Sequence, residues 1–332
     1  MTRSNEDAGE GLAGATARPL VLLWLNEADV YRAAVARAGL ADRVELWAVA
    51  ADAEPDPDLL ARCEALLTWR VPRGFFAAAP RLRWAQALTA GVEGWLARGI
   101  PPDLVLTCAR GTHRVQMPEN ILGALFHLTK PYAAAALDQR ERRWTRRVSE
   151  PLAGKTLGIL GLGAIGQEVA RKAAALELTV VGTRRTPAAL PHVARVYAPA
   201  ETREVLARSD FVLLLLPVTA ETRGFVDAAR LREMRPGAYL LNFGRGELVV
   251  DQDLVAAVRD RVIAGAVLDV FTVEPLAPEH PFWTTEGITV LPHIGGLHPQ
   301  RDALVAELFV ENLRRFVEGL PLLRVVDHAR GY

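Results

Sequence analysis

Three stretches of the sequence carry side chains able to do chemistry, and each follows a short apolar run. The run 238–241 leads into Asn242-Phe243-Gly244-Arg245-Gly246. The run 262–268 leads into Asp269-Val270-Phe271-Thr272-Val273-Glu274-Pro275, and the run 288–291 into Pro292-His293-Ile294-Gly295-Gly296. If these runs are strands of one parallel sheet, Arg245, Glu274 and His293 leave its carboxyl edge, where open α/β sheets bind ligands. A guanidinium grips a carboxylate through two parallel hydrogen bonds. An imidazole can transfer a proton near neutral pH. Taken singly, such an arginine caps a turn, such a glutamate is solvated and such a histidine is structural. Occurring together beside a nucleotide fingerprint, they read as one site.

That fingerprint is Gly161-Leu162-Gly163-Ala164-Ile165-Gly166. A lone G-x-G-x-x-G is weak, but here it follows an apolar strand (156–160), opens a helix (167–178) and precedes a second strand (179–182). The first glycine permits a tight turn, the second lets backbone approach a pyrophosphate, and the third lets helix and strand pack closely. The pyrophosphate then sits over the free N–H groups of a helix N-terminus. After the second strand comes Thr183-Arg184-Arg185-Thr186, with no acidic residue for ribose hydroxyls. Guanidinium groups there bind a 2′-phosphate, which a carboxylate would repel. The expected cofactor is NADP(H), with Arg184 and Arg185 on the phosphate and Thr183 assisting, NAD(H) remaining an alternative.

The elements that must position these groups follow an α/β pattern. Apolar runs at 20–25, 44–49, 65–69, 82–88 and 104–108 alternate with helical material and predict a first parallel sheet. A second α/β unit holds the fingerprint and the chemical residues. Between them a helix is predicted from after Pro118 to about Arg147, kinked or divided at Pro131. Its Arg140, Arg142, Arg143, Arg146 and Arg147 read as a solvated face. A last helix spans about 300–318.

Composition narrows the function classes. Lys plus Arg and Asp plus Glu each number 39, so no net charge points to nucleic acid or a membrane surface. Cys63 and Cys108 are the only cysteines, too few for a disulfide framework. Residues 1–18 lack the apolar core of a signal peptide and read as a disordered leader, and no apolar run is long enough for a membrane helix. A soluble cytoplasmic protein is expected, with no metal site among its histidines.

With the glycine fingerprint, the N-x-G-R-G turn, the L-D-V-F-x-x-E-P run and the P-H-I-G-G run in this order, the chain resembles the D-isomer-specific 2-hydroxyacid dehydrogenase family from residue 19 onward. Ala87-Leu88-Thr89-Ala90-Gly91-Val92, the paired arginines and the closing Val326-Asp327-His328-Ala329-Arg330-Gly331-Tyr332 resemble its glyoxylate/hydroxypyruvate reductase branch. The resemblance implies two Rossmann-like or flavodoxin-like domains with parallel sheets and an active-site cleft between them. The division expected is 19–112 plus 298–332 for substrate and 113–297 for the nucleotide. It implies catalytic roles for Arg245, Glu274 and His293, and a homodimer built on the region 118–147. It places Asp269 near the nicotinamide carboxamide and counts Pro217 with the cofactor-binding residues. Backbone N–H groups from Leu88 through Thr89 and Ala90 to Gly91 would hold the substrate carboxylate.

The physical roles suit reduction of a 2-oxoacid. His293 donates the proton to the developing alkoxide, Glu274 orients its ring and supports the imidazolium, and Arg245 clamps the carboxylate and polarises the keto oxygen. Trp144 lies in a segment similar to one that reaches a partner's active site in the reductase branch, but an ordinary core or dimer-contact role is the simpler expectation. Trp69, Arg70, Trp283 and His298 are candidates to line the cleft. His127 reads as a core or helix-face residue, and His113 and His192 have no functional context. Glu93 replaces a common aspartate, and Arg324 a common asparagine. Both are expected to bear on substrate choice while lying outside the catalytic group. Two other readings remain: a nucleotide-sensing binding protein, which the intact trio opposes, and NAD-dependent oxidation of formate or phosphite, which the arginines oppose.

Overall fold

The computed structural model describes residues 18–328. The expected leader, apart from Arg18, and the closing residues 329–332 lie outside them. The first unit comprises β1 (Leu20–Trp24), α1 (Ala28–Arg37), β2 (Glu45–Val49), α2 (Pro57–Arg62), β3 (Cys63–Thr68), α3 (Phe75–Ala78), β4 (Trp84–Ala87), α4 (Glu93–Leu96) and β5 (Val105–Cys108). Then come α5 (Gln116–Thr129), α6 (Tyr132–Arg140), β6 (Thr156–Leu160), α7 (Ala164–Ala175), β7 (Thr179–Thr183), β8 (Arg195–Tyr197), α8 (Thr202–Leu206) and β9 (Phe211–Leu214). The chain continues through α9 (Ala228–Glu233), β10 (Tyr239–Asn242), α10 (Asp251–Arg259), β11 (Gly265–Leu268), β12 (Ile288–Val290) and α11 (Arg301–Glu318).

Both sheets are wholly parallel, in the orders β2-β1-β3-β4-β5 and β12-β11-β10-β9-β6-β7-β8. The first order is flavodoxin-like; the second begins as the doubly wound dinucleotide-binding order and adds a strand. Strands such as β9 and β11 are apolar and buried along their whole length because helices cover both faces. The order reverses between β6 and β9, which opens a crevice over their carboxyl ends. The sheet built from residues 20–108 does not close its core alone. Val305, Ala306, Phe309 and Leu313 of α11 pack against Tyr31, Val35 and Trp84, so the last helix returns to the first sheet.

The helical segment expected over 118–147 is corrected. It starts two residues before Pro118 and ends at Arg140, while the division at Pro131 is as expected. A proline in the first turn sacrifices no helical hydrogen bond, whereas one further along does. Residues 141–155 form no regular element. The arginine cluster is not merely solvated either: Arg143 and Arg147 both pair with the buried Asp138. The three-residue β8 escapes sequence reading because Arg-Val-Tyr carries too short a pattern. Among the described residues no helix is long and apolar enough to cross a membrane.

Candidate active site

Arg245 is held by the turn that follows β10. Asn242, 1% exposed, donates from Nδ2 to the Arg245 carbonyl at 2.8 Å and accepts the Gly244 N–H at 3.1 Å. The guanidinium donates from Nη1 to the Gly244 carbonyl at 2.7 Å and from Nε to Glu93 Oε1 at 3.1 Å. The second contact crosses from the β10 turn to α4 of the first unit. Glu93, expected to bear on substrate choice, therefore touches Arg245 directly.

Glu274 and His293 meet from two different strand ends. Glu274 Oε1 accepts the Phe271 N–H at 2.9 Å, and Oε2 lies 2.6 Å from His293 Nδ1. That leaves Nε2 as the ring nitrogen able to meet a ligand. His293 has φ 52°, the left-handed region, which costs a non-glycine residue on the order of 1–3 kcal/mol. Its surroundings impose this. The His293 N–H donates to the Leu291 carbonyl at 2.9 Å, and Asp269 Oδ1 accepts the Ile294 N–H at 2.8 Å. Both Asp269 oxygens also accept the Gly295 N–H. Burial pushes the Asp269 carboxyl above its ordinary range, and those backbone donors oppose the shift. Asp269 thus braces the histidine loop, whatever further contact it makes.

The glycine turn has the shape its spacing predicts. Gly161 adopts φ +112°, and a Cβ on Gly166 would stand 2.5 Å from the Gly161 carbonyl. A Cβ on Gly163 would meet nothing within 4 Å, so the backbone there is open to a ligand. Ala164 and Ile165 begin α7, and Pro217 lies three residues beyond β9 on the same edge. Arg184 and Arg185 are exposed just past β7, whereas Thr183 is 4% exposed with its side chain inside the fold.

The loop after β4 is partly committed to its own fold. The Leu88 N–H donates to the Thr68 carbonyl at 3.0 Å, which corrects its place among the anion donors. Thr89, Ala90 and Gly91 donate their N–H groups to no other described residue. Thr89 Oγ1 donates to the Gly91 carbonyl at 2.5 Å. Beneath the loop lies Arg301, 7% exposed, which sequence reading missed. Its Nη2 donates to the Leu88 carbonyl, its Nη1 pairs with Asp302, and its Cζ sits 4.1 Å from the centre of the Trp69 ring. Nothing in the spacing around position 301 separates this arginine from those on helix surfaces. Asn242 was within the motif, but only the folded turn shows what it holds.

The remaining candidates divide. Trp69 packs against the guanidinium of Arg301, and Arg70 beside it in the chain is exposed. Trp283, 50% exposed, donates from Nε1 to the Ala277 carbonyl at 2.9 Å. Trp144 is 95% exposed within its own chain, so the core reading fails. His298 packs edge-on against His113, with ring centres 6.1 Å apart, which gives both histidines a context at the crossing between the two units. His127 lies on the exposed face of α5 with Nε2 3.1 Å from Thr289 Oγ1. His192 and Arg324 line a cavity of about 820 Å³ with Arg110, Arg114 and Arg171. Among the described residues no three His, Cys, Asp or Glu side chains are grouped to hold a metal ion.

Comparison with known proteins shows the family and fold to which the chain is similar. Residues 122–295 match the family described as D-isomer specific 2-hydroxyacid dehydrogenase, NAD binding domain. The chain is 31% identical over 276 residues to glyoxylate/hydroxypyruvate reductase A of Photorhabdus laumondii, covering 80% of this chain and 87% of that protein. It superposes with TM-score 0.83 and 32% identity on a D-isomer specific 2-hydroxyacid dehydrogenase from Xanthobacter autotrophicus Py2 in complex with NADPH and MES, covering 95% of this chain and all of that one. An NADPH-dependent glyoxylate/hydroxypyruvate reductase from Sinorhizobium meliloti, in complex with NADP and sulfate, gives TM-score 0.80 and 30% identity over 95% of this chain and 100% of its own.

Proposed function

The chain belongs to the D-isomer-specific 2-hydroxyacid dehydrogenase family, and on that premise we propose that it reduces a 2-oxoacid of the glyoxylate or hydroxypyruvate type to the D-2-hydroxyacid with NADPH. The carrying observation is that Arg245 and the hydrogen-bonded Glu274–His293 pair follow the adjacent parallel strands β10, β11 and β12 at their carboxyl ends. The reductase activity of the Photorhabdus and Sinorhizobium relatives supports the same substrate class.

The residues present fit the nucleotide. Open backbone at Gly163, the start of α7 and two exposed arginines past β7 match pyrophosphate and 2′-phosphate in turn. When bound, the nicotinamide supplies the hydride. The protein does the rest. Arg245 and the free N–H groups of Thr89, Ala90 and Gly91 hold the substrate carboxylate, and Arg245 polarises the keto oxygen. His293 Nε2 delivers a proton to that oxygen as negative charge develops there. Glu274 fixes the ring and stabilises the imidazolium before the proton leaves it.

We further assign 19–112 plus 298–332 to substrate binding and 113–297 to the nucleotide, with closure excluding water. A homodimer through α5, α6 and the exposed arm around Trp144 and Val148 accords with the apolar surface those residues leave open.

The test is to follow nicotinamide absorbance with NADPH and NADH over glyoxylate, hydroxypyruvate, pyruvate and phenylpyruvate. NADPH oxidation far more efficient than NADH oxidation, and lost in His293→Ala, supports the reading. An NADH preference overturns the arginine argument. Tight NADPH binding without turnover of any oxoacid overturns the reductase reading in favour of a sensor.

A further inference from the structure

Glu93 occupies the edge of Arg245 that would otherwise grip an anion. Its Oε1 takes Nε at 3.1 Å, and Nη1 is already directed to the Gly244 carbonyl. The pair is half-buried, the side chains 33% and 35% exposed. It is also built in. A Cβ on Gly91 would stand 1.5 Å from Arg245 Nη2 and 2.6 Å from Glu93 Oε2, so the bare α-carbon makes the slot in which guanidinium and carboxylate lie together. Glu93 itself opens α4, one residue beyond the buried Val92 and two before the buried Trp95. The carboxylate is thereby anchored on the substrate side of the cleft while the arginine comes from the nucleotide side.

We propose that Glu93 determines substrate charge: it props Arg245 and cancels most of its positive charge, so that the site accepts 2-oxoacids carrying one carboxylate and rejects those carrying two. This rests on the 2-oxoacid reading above. With Glu93 in place, the pair presents little net charge. One substrate carboxylate is held by the remaining N–H donors of Arg245 and by the loop backbone. A second carboxylate finds no uncompensated cation in the Arg245–Glu93 pair and meets the Glu93 charge. Like charges brought together in a partly desolvated site repel strongly, which is how an interface selects against wrong partners.

The experiment uses the full chain with saturating NADPH. Calorimetry measures oxamate, a monoanion, and oxalate, a dianion, on wild type, Glu93→Gln and Glu93→Ala. Glutamine keeps an oxygen acceptor for Nε but removes the charge. Glu93→Gln is expected to tighten oxalate by about tenfold or more and oxamate by only about threefold, about 1.4 and 0.7 kcal/mol respectively. In turnover, the kcat/KM ratio of oxaloacetate to glyoxylate rises about tenfold in Glu93→Gln. Glu93→Ala removes the prop and lowers kcat for glyoxylate, an effect the glutamine variant rescues. Unchanged oxalate-to-oxamate discrimination in Glu93→Gln overturns the proposal. If no oxoacid is reduced by wild type yet oxalate still tightens selectively, the reductase reading fails and charge selection at Arg245 stands.

Discussion

His293 Nδ1 and Glu274 Oε2 stand 2.6 Å apart, although one side chain follows β12 and the other follows β11. The contact ties one ring nitrogen and leaves the other for chemistry. His293→Ala should lower kcat by about 10²–10⁴-fold, the usual contribution of a positioned acid. Glu274→Gln can present an N–H to Nδ1 and so oppose the imidazolium that gives up the proton, and its loss should reach at least about 10²-fold. Fluorescence titration should find NADPH affinity unchanged in both. A large loss of NADPH binding would remove the pair from the proton-transfer role.

Gly91→Ala tests the slot around Arg245. The added methyl would fall 1.5 Å from Nη2, so the guanidinium must move. A displacement of this size in a clamping group costs about 10²-fold in rate. Steady-state kinetics should show that fall in kcat/KM for glyoxylate with the melting temperature little changed. Wild-type kinetics in this variant would show that Arg245 need not lie where it does.

The proposed 2′-phosphate site is the pair of arginines past β7, Arg184 and Arg185. Each hydrogen bond to a charged phosphate contributes about 1.5–3 kcal/mol, so Arg184→Ala and Arg185→Ala should each raise the KM for NADPH roughly 10- to 100-fold. The KM for NADH should move by less than about threefold, since NADH carries no 2′-phosphate to lose. Equal losses for both coenzymes would place these arginines in the fold and remove them from the phosphate site.

Acid stability follows from Asp138. Hydrogen bonds from Arg147 and then Arg143 hold its carboxyl down to about 2, below its ordinary 3.8. A carboxylate depressed on folding stabilises the native state above its unfolded value and loses that contribution as pH falls through its folded one. The melting temperature of wild type should therefore drop between pH 4 and pH 2 more steeply than that of Asp138→Asn. Parallel curves for the two proteins would show that the arginine clamp contributes nothing in solution.

How much of this was legible in the chain differs from residue to residue. Gly161, Gly163 and Gly166 could be read because a phosphate turn is local: its strand, glycines and helix are adjacent in sequence. Arg245, Glu274 and His293 could be read because each follows its own strand directly, and parallel strands put their carboxyl ends on one edge. The end of the helical segment, expected near Arg147 and found at Arg140, was misjudged because the run of arginines leaves it undetermined by pattern alone. Leu88 was misplaced because its N–H is spent on Thr68, a neighbour only after β3 and β4 pair.

By itself, then, the sequence determined the parallel α/β architecture, the nucleotide turn, the arginines past β7 and the trio at the sheet edge. These depend on short-range order and on the fixed geometry of parallel strands. Only the tertiary structure decided that Glu93 would meet Arg245 across 152 positions and that Arg301 would lock the Leu88 carbonyl across 213. It also decided that Asp269 would brace the left-handed His293 loop. Such contacts join residues whose own neighbourhoods carry no signal of each other. Their strength comes from burial and alignment of charged groups, which exist only once the two sheets and the returning α11 are packed.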